Sequence, residues 1–90
     1  MSKQGVAAVR ELERLIHQRV TIDSIENWIE RLRRVNQMYC PERNVLQCVL
    51  ALFGAGFNGK SRIEISNTMK TAKKELRVIV RGIKHSNGIK

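Results

Sequence analysis

Apolar residues recur at helical spacing along most of the chain. Val9, Leu12, Leu15 and Ile16 form one stripe and predict a first helix over roughly residues 6–20. A polar stretch, Thr21-Ile22-Asp23-Ser24, then interrupts the pattern. Asp23 followed by Glu26 suits a capping box, with Ser24 as the competing cap. Ile25, Trp28, Ile29, Leu32 and Val35 make the buried stripe of a second helix over roughly 24–39, and Glu30, Arg31, Arg33 and Arg34 occupy its other face.

The single proline, Pro41, suits the first turn of a third helix reaching about residue 53. Val45, Leu46, Cys48, Val49, Leu50, Leu52 and Phe53 point in almost every direction, so this helix is expected to be central and largely enclosed, with Cys48 a small buried hydrophobe. Gly54, Gly56 and Gly59 end it and form a flexible loop. A last helical region spans roughly 61–85. The expected fold class is all-α: a compact bundle of four to five helices with a central apolar helix. A helix-turn-helix in the C-terminal half is one option within that class. Residues 1–90 make one domain, with 1–5 and 86–90 expected to fray.

Composition narrows the partners. The hydrophobic fraction of 42% is too high for a disordered chain. Seventeen Lys and Arg against eight Asp and Glu give a net charge of +9, which favours polyanions: nucleic acid or an anionic membrane surface. A chain this short buries only about two-thirds of its unfolded surface, so a homodimer is the expected supplement. Cys40 and Cys48 lack zinc-ligand spacing and do not make a secreted disulfide framework. Charges run throughout residues 1–19, so no signal peptide is expected, and Ser2 excludes N-myristoylation. The longest apolar stretch, residues 45–57 with Gln47 inside it, is too short to span a bilayer. A cytoplasmic location is expected, or a host nucleus for a viral chain.

The segment Gly54-Ala55-Gly56-Phe57-Asn58-Gly59-Lys60-Ser61 matches the phosphate-loop pattern G-x-x-x-x-G-K-S. A phosphate loop must follow a buried parallel strand, whereas the preceding run starts at a proline and is Leu-rich. The residues beyond the motif are too few for a second strand and its crossover. The plainer reading is a helix stop followed by a helix start at Lys60-Ser61.

Gly59-Lys60-Ser61-Arg62-Ile63-Glu64-Ile65-Ser66 resembles the G-x-S-x-x-E-I-A entry of helix-turn-helix domains. Such entries occur in LuxR-type regulators and in the promoter-reading region of sigma factors. Pro41-Glu42-Arg43 followed by Val45-Leu46 is similar to the helix that often opens those domains, and the resemblance covers residues 41–83. It implies Ile65, Met69, Leu76 and Ile79 on buried positions and a small residue, Ser66, against the second helix. It also implies Ala72, Lys73, Lys74, Arg77 and Arg81 facing DNA, with Arg77 pairing to guanine. The chain departs from the pattern at the turn, where Lys70 and Thr71 replace a glycine and an apolar residue, and in a longer preceding loop.

The same stretch also reads as one continuous helix. Ile65, Met69, Ala72, Leu76, Ile79 and Ile83 are spaced 4, 3, 4, 3 and 4, and no Gly or Pro intervenes before Gly82. At about 100° per residue, Arg62, Lys70, Lys73, Lys74, Arg77, Arg81 and Lys84 share a sector of about 120°, with Glu64 and Glu75 on the opposite flank. Cations so segregated point to phosphate contact more than to mere solvation. In this version Val49-Leu50-Ala51-Leu52-Phe53 and Lys73-Lys74-Glu75-Leu76 resemble segments of flavivirus capsid proteins, which implies a dimer packaging RNA.

His17 and His85 have no evident carboxylate or thiol partner, no acidic pair is spaced for acid–base or metal chemistry, and Trp28 and Tyr39, which could stack on bases, read more readily as core. The expectation is therefore a non-enzymatic nucleic-acid-binding protein without cofactor or metal. Most favoured is a DNA-binding transcription regulator, with DNA preferred to RNA. The alternative is a viral capsid- or matrix-like RNA-binding dimer. A polymerase or other protein partner and an anionic membrane surface complete the range.

Overall fold

A computed structural model describes residues 3–39, 46–54 and 56–86. Among the described residues four α-helices make up a compact all-helical bundle: α1 (Lys3–His17), α2 (Ile25–Tyr39), α3 (Gln47–Ala51) and α4 (Arg62–Ser86). There is no strand among the described residues. At about 1.5 Å per residue, the 25 residues of α4 account for most of the 42 Å long axis.

Helix α1 packs against both α2 and α4. Leu15 meets Trp28, and Glu11 and Met38 flank one groove, so α1 and α2 run antiparallel. Gln18 meets Lys73 and Glu13 meets Lys84, so α4 is antiparallel to α1 as well. The apolar stripes of α1 and α2 are buried as their spacing requires, with Leu12, Leu15, Trp28 and Leu32 almost wholly enclosed. Trp28 meets the ring of Phe53 edge-on at a centroid separation of 6.0 Å, and Phe53 lies the same distance from Phe57.

Several local expectations are corrected. Lys3–Gly5 is already helical and Gly5 is buried, so the N-terminal helix starts earlier than its apolar stripe suggests. At the other end Ser86 closes α4, while residues 87–90 lie outside the described residues. The turn before α2 is capped by Thr21 and Ser24, not by Asp23 and Glu26. The Thr21 N–H donates to Ser24 Oγ at 2.9 Å, and a single 3₁₀ turn, Ile22–Ser24, leads into the helix.

The third helix differs most. Its expected first turn, residues 41–45, lies outside the described residues. From Leu46 to Phe53 the chain buries only one face, Leu46, Val49 and Phe53, while Gln47, Cys48 and Ala51 are exposed. Cys48 is therefore an exposed free thiol and not a core residue. Apolar composition all round a short helix does not enclose it when the helices packed on it, α2 and α4, cover one face.

In α4 the buried residues are Ile65, Met69, Ala72, Leu76, Val80 and Ile83. Val80 replaces Ile79, which is half-buried, as the contact residue of the fifth turn. A strict 3.5-residue seam drifts around a 3.6-residue helix, and the buried line steps across by one position to stay on the core.

Candidate nucleic-acid interface

Helix α4 begins with a built cap. The Ser61 hydroxyl accepts the Glu64 N–H at 3.2 Å and donates to Glu64 Oε1 at 3.3 Å. Ahead of it, Lys60 N–H donates to the Phe57 carbonyl at 3.1 Å, with Gly59 at φ 76°, the positive φ that a type II turn requires at its third residue. The G-x-x-x-x-G-K-S pattern thus serves as the link between two helices, and its serine hydroxyl is committed to the cap.

Helix α4 runs without a break through Lys70 and Thr71, where the helix-turn-helix resemblance puts a turn. A continuous apolar seam and the absence of Gly or Pro between Arg62 and Arg81 leave nothing to interrupt it. One continuous helix therefore carries all seven of the expected site residues.

The seven divide into two sets. Lys73 and Lys84 are half-buried and bound to α1 or to the residue that directly follows it. Lys73 Nζ donates to the Gln18 carbonyl at 2.7 Å, and Lys84 Nζ lies 3.1 Å from Glu13 Oε2. Burial, and then the neighbouring Arg77 charge, push the Lys73 ammonium below the usual lysine range. These two side chains hold α4 against α1.

Arg62, Lys70, Lys74, Arg77 and Arg81 are exposed, and none has an acidic partner among the described residues. Some arginines of the other helices are paired, although Arg10 and Arg31 have no acidic partner among the described residues. Arg14 pairs with Glu11 at 3.1 Å, and Glu30 serves both Arg33 at 4.0 Å and Arg34 at 3.7 Å. What sets α4 apart is arrangement: its unpaired cations recur along one exposed face of a single helix.

The α1–α4 seam adds residues of α1, Glu13, Ile16 and His17, that the periodicity of α4 does not reveal. His17, Arg77, Arg81 and the Glu13–Lys84 pair line a groove of about 300 Å³ whose floor is Ile16 and Val80. Nothing in the sequence around His17 signals this, because its neighbours are supplied by the packing of α4. Trp28 is wholly enclosed and donates its indole N–H to the Leu15 carbonyl at 3.0 Å, so it cannot stack on a base. His85 is exposed near the end of α4, and the Tyr39 side chain lies outside the described residues. No group of three or more His, Cys, Asp or Glu is placed to hold a metal ion among the described residues. No helix among them is long and apolar enough to cross a membrane. No protein-family model, curated protein or solved structure matches the chain.

Proposed function

We propose that the protein binds nucleic acid without chemistry of its own, gripping backbone phosphates with the exposed face of α4. The observation that carries this is the unpaired set Lys70, Lys74, Arg77 and Arg81. These four cations lie along one exposed face of a single continuous helix, and none has a carboxylate partner among the described residues. Positions 70, 74, 77 and 81 span about 16 Å of helix at 1.5 Å per residue, a line that can meet several phosphates at once. Phosphate contact positions a protein without reading sequence. An unbroken helix with no turn at Lys70-Thr71 favours this mode over a recognition helix set in the major groove.

The test is the salt dependence of binding to duplex DNA and to RNA. Removing one phosphate-binding cation should lower the slope of log affinity against log salt by about 0.9 on duplex DNA. Lys74→Gln and Lys70→Gln should each weaken binding by a similar factor on unrelated sequences. A salt-independent affinity, or no affinity for any nucleic acid, would reject the reading.

Ile63 and Val78, 74% and 61% exposed on the same helix, favour a second reading: docking of α4 on an anionic membrane surface. Binding to phosphatidylserine vesicles in the absence of any nucleic-acid affinity would select it.

A further inference from the structure

We infer that the groove between α1 and α4 seats an unpaired nucleobase, so that the protein prefers single-stranded nucleic acid to duplex. The inference rests on the phosphate-binding reading of α4 and adds to it the kind of strand. The groove has an apolar floor, Ile16 and Val80, beneath His17, Arg77 and Arg81. Imidazole and guanidinium are planar side chains, and both stack on the faces of exposed bases in single-strand recognition. Here they come from different helices, His17 from α1 and the arginines from α4, one turn apart on the latter. A volume of about 300 Å³ is at the small end of ligand pockets, room for one base and not for a base pair with its backbones.

The surrounding charge suits a strand that enters and leaves such a groove. Lys70 and Lys74 continue the basic face beyond Arg77 toward the start of α4, where flanking phosphates would lie. Lys84 also borders the groove but is held by Glu13 at 3.1 Å, so that end is electrically neutral. A strand is therefore drawn from the Lys70–Arg81 side. A duplex keeps its bases paired and inside, and meets only the convex line of cations.

The experiment compares three probes at one salt concentration: a short oligothymidylate, an abasic strand of the same length, and a duplex of that length. The expected result is oligothymidylate bound at least about fivefold more tightly than the abasic strand, the lower end of what stacking one base contributes. His17→Ala should narrow that ratio while its affinity for the duplex stays where it was. Equal affinity for base-bearing and abasic strands would overturn the inference and leave phosphate binding intact. A duplex bound as tightly as the oligothymidylate would overturn it too. Failure of all three probes to bind would remove the phosphate reading itself, a distinct result.

Discussion

Lys73 Nζ lies 2.7 Å from the carbonyl oxygen of Gln18, which directly follows the last residue of α1. The end of a helix leaves its final carbonyls without intrahelical donors and carries partial negative charge. Two side chains from other helices meet these groups: the Trp28 indole at Leu15 and the Lys73 ammonium at Gln18. The contact also costs something, because burial and Arg77 both disfavour the charged lysine. With its folded pKa below the unfolded value of 10.5, the native state binds fewer protons than the unfolded chain within that interval. Stability from this group therefore rises as pH climbs through the lowered pKa toward 10.5. The urea midpoint of the wild type should gain on that of Lys73→Met over this alkaline range. A constant difference between the two would contradict the assignment.

Glu13→Gln separates the two tasks of the α1–α4 seam. The Lys84–Glu13 pair is partly exposed, with side-chain exposures of 27% and 40%, so its loss should cost no more than about 1 kcal/mol of stability. The same change removes the carboxylate that borders the basic groove and frees Lys84. Nucleic-acid affinity should rise, with a steeper salt dependence, and titration of labelled oligonucleotides against both proteins measures it.

Asn36 stands on the apolar stripe of α2, four residues after Leu32, and is buried. Its Oδ1 accepts the Leu46 N–H at 3.0 Å and so ties the approach to α3 onto α2. Asn36→Ala strands a buried amide and should cost about 1–3 kcal/mol in chemical denaturation. An unchanged midpoint would mean that the Leu46 N–H finds water instead.

Gly82 lies inside α4 on an exposed side, and a Cβ placed there meets nothing within 4 Å. Gly82→Ala should stabilise the protein by about 0.5–1 kcal/mol through helix propensity and a less flexible unfolded chain. A higher melting temperature with unchanged nucleic-acid affinity is the expected pair of results.

Leu76 is fully enclosed at the middle of α4. Leu76→Ala should lose about 2–5 kcal/mol, from reduced burial together with the cavity left behind. Leu76→Asp should abolish the cooperative transition. A folded, fully helical aspartate variant would show that this face of α4 is not the core.

The local period of a helix is written in the chain, and so were the faces that depend on it. The stripes from Val9 to Ile16 and from Ile25 to Val35 are buried as read, and the cations of α4 share one side because 100° per residue puts them there. The start of the last helix at Lys60-Ser61 was legible too, whereas the buried Asn36 and its bond to Leu46 were not. Whether residues 62–86 form one helix or two was not settled by the sequence, because the seam and the helix-turn-helix pattern use nearly the same apolar positions. Only the tertiary structure decided what lies opposite each face. It set Lys73 on Gln18, 55 positions away, Lys84 on Glu13, and His17 beside Arg77 and Arg81. It also left Cys48 exposed and chose Val80 over Ile79 as a core residue. Periodicity is a property of one segment, whereas these pairings depend on how segments distant in sequence slide and rotate to close-pack their apolar surfaces.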